Sequence, residues 1–244
     1  MKIFAISDLH LPGGVQKPMD IFGTHWCNHF ERIAADWQER VGQGDAVLLP
    51  GDFCWAMQLE DALVDLRRVA ALPGQAVLLR GNHDYWWSAI SRVRAALPEG
   101  MAALQNDALD VGTAIVCGTR GWLCPGDTPL AADDLRVYQR EVLRLALSLQ
   151  DAKAKQARAH AQGRDLPLVA MMHFPPFASP ETPSGFTDLL EVHGVSLCVY
   201  GHLHGPGIGG AFQGMLRGIA YRLVSCDALG FRLLELPTPE RSAT

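Results

Sequence analysis

Six apolar runs of strand length set the frame for this chain: Ile3–Ser7, Ala46–Pro50, Ala76–Leu79, Ala114–Cys117, Leu168–Met172 and Leu197–Tyr200. A strand that is apolar at nearly every position, rather than at alternate ones, suits burial on both faces. Between the first three runs lie stretches with helical spacing. Trp26, Phe30, Ile33 and Trp37 form one stripe, and Leu59, Leu63, Leu66 and Val69 a second. Strand–helix–strand alternation of this kind predicts βαβ units, a mostly parallel sheet and an α/β fold.

The pattern changes after residue 110. Leu109–Val111 and Thr113–Gly118 read as a hairpin around Gly112, and Tyr221–Ser225 and Phe231–Leu236 as another around residues 227–230. A second, more antiparallel sheet is therefore expected. The longest helical stretch is Ala132–Ala161, with an apolar stripe of Leu135, Tyr138, Val142, Leu145 and Leu149. Its charged residues read as a solvated face. With no repeat and no linker, residues 1–244 read as one domain, with a helical cap or insertion around 122–160.

A net charge of −5 provides no global field for binding polyanions, which counts against a nucleic-acid partner and leaves room only for a local basic groove. The opening MKIFAIS meets Asp8 after five uncharged residues, too few for a signal-peptide core. No apolar run approaches the ~18 residues of a membrane span. Six cysteines without a C-x-x-C pair, several inside apolar runs, fit a reducing, cytoplasmic setting. These patterns leave the oligomeric state open.

The polar residues that follow the apolar runs carry the chemistry. Asp8-Leu9-His10 ends the first, and side chains two apart on an extended chain share a face, so both can reach one cation. Gly51-Asp52 ends the second and Gly81-Asn82-His83-Asp84 the third. His173 follows Leu168–Met172, and Gly201-His202-Leu203-His204 follows Leu197–Tyr200. In open α/β sheets, ligands sit beyond the carboxyl ends of strands. Seven residues there are oxygen or nitrogen donors: Asp8, His10, Asp52, Asn82, His173, His202 and His204. If one carboxylate bridges, each of two metals receives four protein bonds, and a shared hydroxide still leaves a position open for substrate.

This series of motifs resembles the calcineurin-like metallophosphoesterase superfamily, in particular its small bacterial phosphohydrolases. The resemblance runs from residue 8 to 204 and implies a four-layer α/β/β/α sandwich with two divalent cations. It implies that Asp8, His10, Asp52 and His204 hold one and that Asp52, Asn82, His173 and His202 hold the other, with Asp52 shared. It departs from the protein Ser/Thr phosphatase pattern, because Gly51-Asp52 is followed by Phe53, Cys54 and Trp55 and no acidic residue stands at 55.

The expected reaction is hydrolysis of a small-molecule phosphate mono- or diester, by in-line attack of a water or hydroxide shared by the cations. Manganese is the first choice of metal, with iron, zinc, cobalt or nickel as alternatives, since the donors include no thiolate. A nuclease and a non-catalytic scaffold on the same fold are the competing readings. His83 is the candidate to protonate the leaving oxygen, or else a structural hydrogen-bonding group. Asp84 is read as a substrate contact or as the cap of a helix over Tyr85–Ala96. Arg120, ahead of Arg80, is the candidate phosphate clamp, with a structural ion pair as its alternative. Trp55, Trp86 and Trp87 are expected to pack between helix and sheet rather than stack on substrate. His25 and His29 lack a third ligand, and Cys54 is expected to be buried.

Overall fold

The computed structural model describes residues 1–15, 17–126 and 129–237. The first half alternates strand and helix: β1 (Ile3–Ala5), α1 (His29–Arg40), β2 (Ala46–Pro50), α2 (Leu59–Ala70), β3 (Gln75–Leu79), α3 (Ile90–Ala96) and β4 (Met101–Leu104). The second half contains β5 (Leu109–Asp110), β6 (Ile115–Thr119), α4 (Ala132–Ala161), β7 (Leu168–Met172), α5 (Gly185–Val192) and β8 (Val195–Tyr200). The last strands are β9 (Gly214–Leu216), β10 (Ile219–Leu223) and β11 (Leu234–Glu235). Among the described residues no helix is long and apolar enough to cross a membrane.

Two sheets form. The first has the order β11-β1-β2-β3-β4 and the second β5-β6-β7-β8-β10-β9. Side-chain alternation explains why their strands are apolar throughout. Phe4, Val47, Leu49 and Leu78 point outward, against Phe30, Ile33 and Trp37 of α1 and Leu66 and Val69 of α2. Ile3, Ala5, Leu48 and Val77 point inward, against Val116, Val169, Met171 and Val199 of the second sheet. That sheet's other face meets Leu145, Leu149 and Ala152 of α4 and Phe186 and Leu190 of α5. Helix, sheet, sheet and helix therefore stack as a four-layer α/β/β/α sandwich. The apolar stripes are what bind it, since a fully buried Val, Leu or Ile side chain contributes about 1.5–3 kcal/mol.

Three expectations need correction. The second sheet is parallel through β6, β7, β8 and β10, and only its edge strands β5 and β9 run antiparallel. The hairpin over residues 109–118 does form, with Leu109 opposite Val116. The one over 221–236 does not. β10 pairs with β8, whereas β11 crosses to the first sheet and pairs with β1, Phe4 opposite Glu235. The two runs alternate because each packs a different core: Tyr221 and Leu223 beneath α4 and α5, Phe231 and Leu233 with α1 and α2. Finally, the helix expected over Tyr85–Ala96 is confined to α3, Ile90–Ala96.

Helix α4 lies along β6 and packs against α5, so it forms part of the layer that covers the second sheet. Its charged face is solvated except at Glu141, which is 1% exposed.

Candidate metal centre

The parallel strands of both sheets end at one edge. Asp8 and His10 follow β1, Asp52 follows β2, Asn82 follows β3, His173 follows β7, and His202 and His204 follow β8. Crosslinks hold these ends together. Asp8 N–H donates to the Gly51 carbonyl at 3.0 Å and His10 N–H to that of Asp52 at 3.1 Å. Ser7 pairs with Ser225, joining the first sheet's edge to the segment after β10.

The backbone at the ligand positions is unusual. Asp8, His10, Asp52 and His202 have φ of 60°, 44°, 51° and 73°. Side chains rarely adopt the left-handed region, and non-glycine residues held there cluster at functional sites. Asp8 and His10 therefore meet because the chain turns after β1, and not because an extended strand aligns them. Close packing permits the turns. A Cβ on Gly51 would come within 2.6 Å of His173 Nδ1, and one on Gly81 would strike Asp52.

Donor atoms collect in two groups. Asp8, His10 and His204 offer atoms all within 4.8 Å of one another, as do Asp8, Asp52 and His173. Asn82 and His202 join the second group: Asn82 Oδ1 lies 2.6 Å from His173 Nε2 and 3.0 Å from His202 Nδ1. Asp52 Oδ2 lies between the groups, 3.4 Å from His173 Nε2 and 3.9 Å from His10 Nε2. His202 and His204, two apart in sequence, thus serve different groups.

These contacts fit cations better than they fit one another. The His173 ring has the Pro50 carbonyl at 3.1 Å from Nδ1 and the Asn82 oxygen at 2.6 Å from Nε2. Burial pushes this imidazole down to about 3, so it is neutral and has one N–H for two oxygens. With the Asn82 oxygen turned toward it, one nitrogen lone pair faces an oxygen lone pair, an arrangement that a cation shared by the two atoms relieves. His10 is likewise pushed down to about 3 by burial, which leaves the neutral form that binds metals. Its buried Nδ1 has no hydrogen-bond partner, and the buried Nε2 of His204 lies 3.2 Å from Asp8 Oδ1 without the alignment of a hydrogen bond.

The carboxylates show the same deficit of positive charge. Burial, then the charges of Asp8 and Asp84, push Asp52 up to about 9. Burial also opposes the charge on Asp8, but His204 and His173 hold it well below the usual carboxylate range. Although burial disfavours a charged His204, Asp227 and Asp8 push it up to about 10. A bound cation would reverse these preferences and ionise Asp52.

Other candidates are placed as follows. The His83 backbone N–H donates to Asp52 Oδ1 at 2.8 Å. Its half-buried ring stands 4.8 Å from Trp55 and 5.9 Å from His10. Trp55 stacks on His10 at 4.7 Å and Trp26 packs edge-on to it, whereas Trp86 and Trp87 are buried as expected. Cys54 is buried too.

Asp84 is neither an exposed substrate contact nor a helix cap. It is fully buried and accepts from the N–H groups of Gly81 at 2.7 Å and Phe53 at 2.9 Å, and from the Trp86 indole at 3.0 Å. It thereby ties the Asp52 loop to the Asn82 loop. Arg120 lies 3.4 Å from Glu141, the ion pair weighed as its alternative. The sequence reading missed Asp227, whose carboxylate accepts from His204 Nδ1 at 2.8 Å and so turns Nε2 toward Asp8. Its one signal was a position shortly after a strand, without the flanking glycine or histidine of the other motifs.

Two facing parallel sheets, with imidazoles and carboxylates gathered at their shared C-terminal edge, define a metallohydrolase centre of the α/β/β/α class. The model of the calcineurin-like phosphoesterase family matches residues 1–206; the chain belongs to that family and is a metal-dependent phosphoesterase. It is similar in structure to the phosphopantetheinyl hydrolase of Mycobacterium tuberculosis, with 15% identity, 100% of this chain and 98% of that one covered, and a TM-score of 0.52. It is also similar to the Thermus thermophilus protein TT1561, with 16% identity, 97% and 98% covered, and a TM-score of 0.50. At such identities the likeness concerns the fold. Among curated proteins none matches the chain.

Proposed function

We propose that this chain hydrolyses a phosphate mono- or diester of a small molecule with a pair of divalent cations. One would be held by Asp8, His10, Asp52 and His204, the other by Asp52, Asn82, His173 and His202. The carrying observation is the convergence of seven donors from five strand ends, with Asp8 common to both groups and Asp52 Oδ2 within 3.4 Å of His173 and 3.9 Å of His10. Manganese remains the first choice, because the set mixes imidazole with oxygen donors and lacks thiolate. When bound, such cations acidify a water and polarise the phosphoryl group for in-line displacement.

The chain's own residues orient and protonate. Pro50 and Asp227 fix the rings of His173 and His204 through their Nδ1 atoms. His83 stands beside His10 but is left out of both ligand groups. Its Nδ1 is buried and unpaired, so Nε2 is the atom that would hold a proton for the leaving oxygen. We take residues 1–244 as one domain, in which α4 covers the second sheet and Trp122 stands beside the centre through Phe174. A net charge of −5 favours a small ester over nucleic acid.

Metal analysis of the purified protein, followed by paired assays on a simple monoester and a simple diester, tests this reading. About two metal equivalents per chain are expected, with turnover of at least one ester lost on chelation and restored by manganese. Full metal loading without turnover of either ester would refute it.

A further inference from the structure

Beside the metal cluster lies a concentration of positive charge that one carboxylate cannot balance. Glu141, buried on α4, accepts from the Thr119 hydroxyl at 2.6 Å and from Arg144 at 2.7 Å, and Arg120 approaches to 3.4 Å. One carboxylate already serves two guanidiniums. Arg140 precedes Arg144 by one helical turn on the same face of α4, and Arg80 leaves β3 two residues before Asn82. Neither Arg80 nor Arg140 makes an ion pair among the described residues. Arg80, Arg144 and Arg140 all lie close enough to Arg120 for their charges to oppose its own, with Glu141 as the one carboxylate among them. The Nε atoms of Arg80 and Arg120 are both buried without an acceptor. Unpaired buried donors and crowded like charges are each costly, and an anion between them relieves both.

The place of this cluster is informative. The Arg120 carbonyl accepts from the N–H groups of His173 and Phe174, at 3.1 and 2.9 Å. The Arg120 guanidinium lies 4.7 Å over the Trp122 ring. Trp122 packs 4.9 Å from Phe174, which lies 3.9 Å from His202. Arg120 therefore sits beside the metal cluster, joined to it by an aromatic wall and by its backbone, and not within it.

We propose that Arg80, Arg120 and Arg144, with Arg140 at the rim, form a second anion subsite that takes a phosphate or carboxylate of the substrate other than the ester being cleaved. The proposal rests on the phosphoesterase reading and narrows its substrates to esters that carry a second anionic group. Guanidinium forks match both oxyanions.

Two measurements test it. Inorganic phosphate is titrated calorimetrically into the full-length, metal-stripped chain, in which the cations cannot contribute. Saturable binding is expected, weakened at least about tenfold by Arg80→Gln and by Arg144→Gln, since each removes a charge-assisted hydrogen bond to the anion. It should also weaken as salt rises, a measurement on the unaltered protein that stands even if a variant fails to fold. No binding, or binding indifferent to both salt and the variants, overturns the subsite. With the metal-loaded enzyme, methyl p-nitrophenyl phosphate is compared with 2-phosphoethyl p-nitrophenyl phosphate. The second ester should have the higher kcat/KM by at least about tenfold, and Arg80→Gln should erase the difference. Equal use of both esters overturns the subsite as a substrate site and leaves the phosphoesterase reading standing. Turnover of neither, nor of the monoester p-nitrophenyl phosphate, with phosphate binding intact, overturns the phosphoesterase reading instead.

Discussion

Replacing Asp227 by alanine separates the two cations from each other. Its carboxylate, 3% exposed, accepts three hydrogen bonds: from His204 Nδ1 at 2.8 Å and from the N–H groups of Gly205 and Ala228 at 3.0 Å each. The Gly205 N–H is exposed enough for water to replace the acceptor and the Ala228 N–H is partly buried, so the cost to folding is about 1–3 kcal/mol. The cost to His204 is more specific. Without an acceptor at Nδ1 the ring loses both its fixed orientation and the tautomer that turns Nε2 toward Asp8. Loss of such an outer partner weakens metal binding about 10- to 100-fold, or about 1.4–2.7 kcal/mol. None of Asn82, His173 and His202 contacts Asp227, so this loss should fall on the cation held with Asp8 and His10. Elemental analysis after dialysis at graded metal concentrations would then show one tight and one weakened site. Asp227→Asn should recover part of the affinity, since its amide oxygen still accepts from Nδ1. Parallel loss of both ions, or of neither, would refute the two-group arrangement.

The remaining predictions concern the loops around the centre. His83→Ala should lower kcat about 10²- to 10⁴-fold while metal content stays intact, because the tie from residue 83 to Asp52 is a backbone N–H. Loss of metal in that variant would count against a role in proton transfer. Gly81→Ala should release metal and lower the melting temperature, since its Cβ would strike the Asp52 backbone and carboxylate; unchanged metal content would contradict the packing described. Asp84→Asn should cost about 1.5–3 kcal/mol of stability, measured by denaturant unfolding, because one amide oxygen cannot serve the donors that now share the carboxylate. Normal stability with abolished turnover would restore Asp84 as a substrate contact.

Several features were legible in the sequence because they are local. Ile3, Phe4 and Ala5 announce a strand buried on both faces, and Phe30, Ile33 and Trp37 announce the helix that covers it. The seven donors could be identified because metal affinity belongs to residue type, and each follows an apolar run that had to end at a sheet edge. Other features depended on partners distant in sequence. Phe231–Leu236 alternates as a hairpin strand would, yet β11 pairs with β1 because Phe231 and Leu233 fill the core over the first sheet. Asp84 has the chemistry of a substrate contact until Gly81, Phe53 and Trp86 enclose it.

What the sequence determined by itself was the layer pattern and the chemical identity of the donors. The division of those donors followed from the family resemblance alone, and the tertiary structure gave it distances, with His204 beside Asp8 and His10, and His202 beside Asn82 and His173. It also placed Asp227 behind His204 and turned the backbone left-handed at Asp8, His10, Asp52 and His202. The physical reason is that ligand geometry depends on distances between strand ends from two different sheets. Those distances are set by the packing of the whole sandwich and by no single segment of the chain.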